Sequence, residues 1–507
     1  MTETTPLLVV PPLRCLPLTK GWRCVVGGFL IHLVLGTLYV WANTTSYVTS
    51  YLRRFDPSLT YNDTLMVYAT ALGMQGCTML LGGILERRLG SRATAMMGGY
   101  LIVLGTFLSA FAESLPALLL TDGVLFGSGL GIAYSAPIVS SVKWLPHRKG
   151  LVTGVIVSGF GGGAFVFGFI ATRVVNPEQV SIRQSGSTDR YFSPESEVTS
   201  RVPLMFMVLS ICYFVCVTVG GMLISEPTPL EQQQALSTLP FYQKVDPDVE
   251  TNELEDLPGD PILTTITSTG VELTQLQDGK VTMSSSCDHP RESAKPLGDD
   301  DSANVTPAAL VWMPIAWHLS SCFITTTVGG MYLAGTFKTY GAMSFSSEVF
   351  LSTLSSTASI FNAAGRIFWG AVADRVGLVE TLMVMSLLFS LTIATYAYSP
   401  LLGPAGFSVW TLAIFFFEGS NFALYPPLTI SLFGSKHSGA NYGIIFTLYA
   451  VCVVTNITLL AGHDASFHTA TTAMGALTFA GFVNLCLLSR HIQAFTKRKV
   501  LTGCKYT

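Results

Sequence analysis

Residues 359–377 read SIFNAAGRIFWGAVADRVG, apolar enough to lie in hydrocarbon except for Arg366 in the middle. A guanidinium is a planar fork of donors that matches a carboxylate through two parallel hydrogen bonds. At the centre of a membrane helix it costs about 2.5–3.5 kcal/mol on insertion scales, so it must face a polar cavity or a partner. Arg375 marks the end of the stretch, nine residues on. At 1.5 Å per residue, Arg366 therefore lies roughly 13 Å deep, too far for its side chain to reach the interface easily. Two readings stand: a docking point for a carboxylate, or a permanent ion pair inside the protein. Asn362, one turn earlier on the same face, would orient the guanidinium or touch what it binds.

Acids and histidines are rarer still in the apolar stretches. Glu418, in FFFEGSNF, is the deepest acid, and Asp122 lies nearer an end of its segment. A buried Glu either carries a proton or neutralises a base. His32 and His318 could titrate near neutral pH, although a lone His on an apolar helix also serves as hydrogen-bonded packing. Tyr39, Tyr134, Tyr425 and Tyr449, with Trp41 and Gln75, offer polar tips and aromatic walls at comparable depths. Such groups would enclose a small organic anion; otherwise they are packing or an interfacial belt.

The elements that must position these residues follow from composition. Only 12% of the 507 residues are charged, 50% are hydrophobic, and the mean hydropathy is +0.50. Soluble domains carry about 25% charged residues, so the chain reads as an all-α polytopic membrane protein. Twelve stretches approach the roughly 20 apolar residues that a span requires. They fall at about 25–48, 63–85, 94–112, 115–138, 151–172 and 203–224, then about 308–336, 347–372, 379–398, 405–432, 441–462 and 469–489. The domains expected are an N-terminal tail (1–24), a six-helix bundle (25–224), a linker (225–306), a second six-helix bundle (307–489) and a C-terminal tail (490–507). The linker holds sixteen acidic residues against four bases, too polar to bury a core, and reads as disordered. Basic residues near span ends number sixteen on one side and seven on the other, which puts both tails and the linker in the cytosol. On that topology Asn62 alone of four sequons, the others at Asn43, Asn304 and Asn456, faces outside in a loop.

The halves echo each other. GILERRLG (83–90) and GAVADRVG (370–377) follow spans two and eight, and Tyr134 and Tyr425 precede Pro137 and Pro427 in spans four and ten. This is the pattern of a duplicated transporter with a site midway between its halves. These motifs, together with LGTLYVWA (35–42), GSGLGIAYSAPIVSSVKWLPHRKGLVTG (127–154), NAAGRIFWG (362–370) and FGSKHSGANYG (433–443), resemble the major facilitator superfamily. Within it they are similar to the oxalate/formate-antiporter and monocarboxylate-transporter branch, over all twelve spans. The resemblance implies that Arg366 holds a substrate carboxylate. It also exposes departures. Oxalate-type members carry a Lys where Tyr449 stands, and monocarboxylate carriers carry one near Asn43, so neither position favours a dianion. Arg87 replaces the usual loop Asp.

Ten cysteines, among them Cys77, Cys212, Cys216, Cys322, Cys452 and Cys486, show no CxxC or ligand spacing, so neither disulfides nor a metal site is expected. GFGGGAFVFG (159–168) reads as close helix packing, not a phosphate cradle. Pro137, Pro426 and Pro427 are expected to kink their spans. No nucleophile–His–acid set or cofactor motif points to an enzyme, and FTKRKV near the C-terminus reads as a lipid-facing anchor, not a nucleic-acid contact. The expectation is a secondary carrier of a small monocarboxylate such as pyruvate, lactate or formate, coupled to protons. Alternatives are an anion exchanger, a carrier of another organic anion or amino acid, or a non-transporting sensor acting through the linker. The N-terminal tail reads as following no cleaved signal peptide. Its Glu3–Leu8 stretch fits an acidic dileucine signal for a sorting adaptor, which would suit endosomes or lysosomes; a nutrient carrier would suit the plasma membrane.

Overall fold

A computed structural model of the chain describes residues 16–180, 191–237, 263–267, 270–274, 304–345, 347–460 and 467–502. The dileucine-like stretch, much of the 225–306 linker and Lys505 lie outside these residues. Twelve long helices follow in order. The first half holds α1 (Leu16–Leu35, then a 3-10 stretch Gly36–Val40 and Trp41–Leu52), α2 (Tyr61–Leu89) and α3 (Ser91–Ser109). It continues with α4 (Leu115–Leu118, a π stretch Leu119–Leu125 and Phe126–Trp144), α5 (Lys149–Val175) and α6 (Val202–Leu223). The second half holds α7 (Pro314–Ser344), α8 (Glu348–Val376), α9 (Leu378–Thr395), α10 (Gly403–Phe433), α11 (Ser438–Leu460) and α12 (Phe467–Thr502).

Eight segments among the described residues are long and apolar enough to cross a membrane, and one of them, Leu378–Phe433, runs through both α9 and α10. The helices that miss this threshold, α3, α7 and α8, are rich in Gly, Ser and Thr, and α8 carries Arg366. Such sequences hold a helix inside a bundle because neighbours, not lipid, take up their polar atoms. α12 runs past the hydropathy boundary at 489, since hydropathy marks the hydrocarbon and not the helix end.

Local signals set the boundaries. α2 begins with a capping box in which Thr60 and Asp63 satisfy each other's backbone N–H groups. The glycines that close the two repeat motifs, Gly90 and Gly377, have φ of +83° and +116°, and the next helix starts one residue later. Only glycine takes that backbone without strain, so the repeated Gly is what lets the chain reverse at once.

The halves meet along α5 against α8 and α2 against α11. On the end carrying Gly90 and Gly377, Asp374 of α8 accepts the backbone N–H groups of Gly150 and Leu151, at 2.7 and 2.8 Å, where α5 begins. A carboxylate on a helix N-terminus is favourable there. In the first repeat the charges are arranged otherwise. Glu86 pairs with Lys143 at 3.5 Å within its half, while Arg87 lies 2.8 Å from His437 Nδ1 of the other half.

In the linker, Pro229–Ser237 forms a short helix whose Glu231 meets Lys20 of α1 at 2.7 Å. Two antiparallel strands, β1 (Leu263–Thr267) and β2 (Gly270–Thr274), pair with Leu263 opposite Thr274. They belong to a separate unit.

Small residues make the α5–α8 seam possible. A Cβ on Gly154 would strike the carbonyl of Arg366, and one on Gly161 would meet Asn362 Oδ1 at 2.6 Å. Overpacking of this kind costs about 1–3 kcal/mol. Gly154→Val is therefore expected to lower the thermal unfolding midpoint of the purified protein, whereas Gly162→Ala, whose Cβ would have only Leu33 within reach at 3.8 Å, should leave it unchanged.

Candidate functional site

α8 is pinched between α5 and α10 by glycines on all three helices. Gly154 and Gly161 admit it on one side; Gly365 against Phe416 and Gly419 against Asn362 admit it on the other. This packing turns Arg366 inward, where it is only 1% exposed. Its Nε donates to Asn362 Oδ1 at 3.0 Å and its Nη1 to the Val157 carbonyl of α5 at 3.0 Å. Asn362 is held in turn by donating from Nδ2 to the Phe415 carbonyl at 3.2 Å. The guanidinium carbon lies 5.7 Å from the Phe160 ring and 5.4 Å from the Phe422 ring, within cation–π range. No described acidic side chain forms an ion pair with Arg366. Every hydrogen-bond partner is neutral; the Glu418 carboxyl is near enough to interact with the guanidinium electrostatically but makes no ion pair with it.

Beside it lies a small cavity of about 10 Å³, room for about one water. Tyr39, Gln75, Tyr134 and Tyr449 line it together with Arg366. Tyr134 Oη, Tyr449 Oη and Gln75 Oε1 have no hydrogen-bond partner. The Tyr134 ring also stacks on Tyr442 at 6.1 Å, with the two hydroxyls close enough to interact with each other but with no other partner. Buried polar atoms without partners are costly, and here they converge beside an unpaired cation. The arrangement suits a small anion with one carboxylate, received by the guanidinium and the hydroxyls once the walls part.

The other sequence candidates are spread more widely. Tyr425 does not line the cavity; its hydroxyl lies 3.1 Å from Thr326 Oγ1 and its ring packs on Phe323. Trp41 lines a different cavity, beside Asp122. His32 Nδ1 donates to the Gly28 carbonyl at 3.0 Å, and its ring lies edge-on to Tyr134 at 5.1 Å, leaving Nε2 without a partner. His318 is elsewhere, paired with His491 Nδ1 at 3.3 Å and with Asn484 Oδ1 at 3.0 Å. Glu418 is 3% exposed, faces Gly330 of α7, and neither carboxyl oxygen has a hydrogen-bond partner.

Five cavity residues escape sequence reasoning: Leu38, Leu72, Phe160, Phe422 and Phe446. Phe160 sits inside GFGGGAF, where glycines draw the attention, and Phe422 stands one helical turn after Glu418. Lys338 is another. Asn43 stands where the resemblance places a Lys, and Lys338 Nζ of α7 reaches its Oδ1 at 3.5 Å, returning a positive charge from the opposite half. Lys338 does not line the central cavity.

The model of the Major Facilitator Superfamily matches residues 29–455. The chain belongs to this superfamily. It is a multi-pass membrane transporter, not an enzyme, with twelve helices in two halves. It is 28% identical over 479 residues to apicoplast pyruvate carrier 1 of Toxoplasma gondii, covering 84% of this chain and 80% of that one. It is 22% identical to the oxalate:formate antiporter of Oxalobacter formigenes, covering 92% and 91%. Human monocarboxylate transporter 12 is 30% identical over 165 residues, 32% of this chain and 30% of that one. The solved structure of the proton:xylose symporter XylE superposes with a TM-score of 0.57 at 13% identity, covering 92% and 94%, which shows a shared fold.

Removing the Asn362 amide leaves the Arg366 Nε donor buried without its acceptor, a loss of about 1–3 kcal/mol. Asn362→Ala is expected to weaken apparent substrate affinity by roughly tenfold or more at unchanged protein level. Concentration-dependent uptake in proteoliposomes measures it, with Ser359→Ala as a control on the same helix.

Proposed function

We propose that the chain carries small monocarboxylates of the pyruvate, lactate or formate type by alternating access, together with a proton. The observation that carries this reading is Arg366: a buried guanidinium whose described partners are all neutral, beside unpartnered hydroxyls. A fixed internal ion pair would have satisfied that charge. Its absence leaves the charge for an incoming anion. One guanidinium fork matches one carboxylate, and the neutral Tyr449 and Asn43 offer no second docking charge inside the cavity. The pyruvate-carrier and monocarboxylate-transporter relatives support the same cargo class. Glu418 is the proton acceptor of choice, because its buried carboxyl has no hydrogen-bond partner and Phe422, on the next turn, borders the cavity.

The basic-residue asymmetry supports cytosolic tails and linker, and a small-acid carrier suits the plasma membrane. The linker is then a regulatory or sorting appendage, and its deletion should leave flux intact.

The decisive experiment is uptake by purified protein in proteoliposomes against a carboxylate panel, with and without an inside-alkaline pH gradient. Pyruvate, lactate or formate should accumulate, oxalate poorly, and the gradient should drive uptake. Arg366→Lys keeps the charge but loses the fork, and is expected to cut uptake by about tenfold to a hundredfold, equivalent to one or two charge-assisted bonds. Normal transport by Arg366→Lys at equal expression would reject the docking role. Uptake of neutral or cationic solutes in preference to monocarboxylates would reject the cargo class.

A further inference from the structure

A second cavity, of about 40 Å³, lies within the N-terminal half among α1, α2, α3, α4 and α6. It holds several times the space of the one around Arg366. That is well above the roughly 10–15 Å³ a cavity needs to admit a water. Asp122 is the acid on its wall, seven residues into α4 and so roughly 10 Å from that segment's start. No described residue gives Asp122 a hydrogen bond or an ion pair.

Two further side chains point to a polar occupant. Trp41 Nε1 and Thr106 Oγ1 both belong to cavity residues, are 8% and 2% exposed, and have no hydrogen-bond partner. The indole N–H and the hydroxyl, buried without partners, border one small space with the part-exposed Asp122 carboxyl, and water there would serve all three. The backbone departs from α-helix on both sides of the cavity. Asp122 sits in the π stretch Leu119–Leu125, while Thr37, Leu38 and Val40 come from the 3-10 stretch Gly36–Val40. Irregular turns of this kind inside spans accompany functional sites. The charged and titratable groups facing Asp122 are few: Tyr68 from α2 and Tyr213 from α6, with none lining from α1 or α3. No base is among them, so the site offers no counter-ion to a metabolite acid and no second carboxylate to a divalent metal.

The cavity adjoins the central one. Leu38 lines both, and along α2 Tyr68 and Ala71 face the outer space while Leu72 and Gln75 face the inner.

We propose that this cavity is a proton-binding site of the N-terminal half. Asp122 takes a proton from hydronium, forming the neutral acid and releasing one water to the pool held against Trp41 and Thr106. It is separate from Glu418 and is divided from the carboxylate site by the Leu38 side chain. The proposal rests on the carrier reading for its transport consequence but not for its proton.

The test therefore has two arms on the full-length purified protein. In infrared pH-difference spectra, Asp122→Asn should remove one titrating carboxyl band that Glu418→Gln leaves in place. Trp41→Phe, which keeps the acid and removes the indole donor, should shift the midpoint of that band. In proteoliposomes, Asp122→Asn should reduce uphill pyruvate uptake under a pH gradient by about tenfold or more, a typical coupling between two ligands. Pyruvate–pyruvate exchange, which needs no net proton movement, should persist. An unchanged infrared difference in Asp122→Asn, an unmoved midpoint in Trp41→Phe, or full proton-driven accumulation without the acid would each overturn the proposal. So would uptake driven by a sodium gradient in the unsubstituted protein and lost in Asp122→Asn, which would assign the cavity to Na⁺. If the unsubstituted protein moves no monocarboxylate in either mode, the carrier reading fails, and the infrared arm alone decides Asp122.

Discussion

A positive charge buried among neutral partners is the constraint on which the centre of this protein depends. Arg366 spends one donor on Asn362 in its own helix and another on the Val157 carbonyl of the opposite half. Those bonds and two aromatic faces meet part of the cost of desolvation, but none cancels the charge. The second bond has a further consequence. It ties α8 to α5, so an anion recruiting the same nitrogen would compete directly with an interhalf contact. Ligand binding and separation of the halves thus draw on one set of donors, and differential interaction of this kind is what a ligand needs to shift a conformational equilibrium.

The scaffold around that charge is built from absent side chains. Gly154 and Gly161 on α5, Gly365 on α8 and Gly419 on α10 bring three backbones close enough to bury a guanidinium without a wide polar channel. On the Gly90/Gly377 end the same economy holds, but the two repeats close it differently. Asp374 caps the start of α5 across the halves, whereas Glu86 turns to Lys143 at home and leaves Arg87 to meet His437 across the seam. The closure is therefore pseudo-symmetric in backbone and asymmetric in charge.

That contrast marks what could be read from residues alone. The twelve helices were legible because hydropathy at a span's length is a sum over many positions, which carries even α3, α7 and α8, polar enough to miss a strict threshold. Arg366 was legible because a base at that depth has few permitted explanations, and Asn362 followed from helical spacing. Tyr39, Tyr134, Tyr449 and Gln75 were legible as polar tips at a common depth, and the cavity gathers them. Other features depend on rotation about a helix axis, which composition does not encode. Tyr134 and Tyr425 hold matching places in the repeat, yet one lines the cavity and the other bonds Thr326. Phe160, Phe422 and Phe446 are three of 31 phenylalanines, and nothing local distinguishes them. The 3-10 stretch in α1 and the π stretch in α4 arise from packing between helices and leave no periodic signature.

The placement of the acids gives the two halves unequal tasks. In the C-terminal half, Glu418 lies on the helix that supplies Phe422 to the cavity, so its protonation can be felt by whatever occupies the space beside Arg366. In the N-terminal half, Asp122 borders a cavity of about 40 Å³ that shares Leu38 with the central one, and no base answers it. On the proposed reading, a monocarboxylate docked on Arg366 would neutralise the guanidinium, and an ionised Glu418 would then leave the centre with excess negative charge. A carrier of this design would gain from protons on its acids when the site is full, because the loaded form could then reorient through a low-dielectric environment with less unpaired charge. On the proposed carrier reading, coupling would run through charge balance across both halves and not through direct proton transfer between acid and substrate.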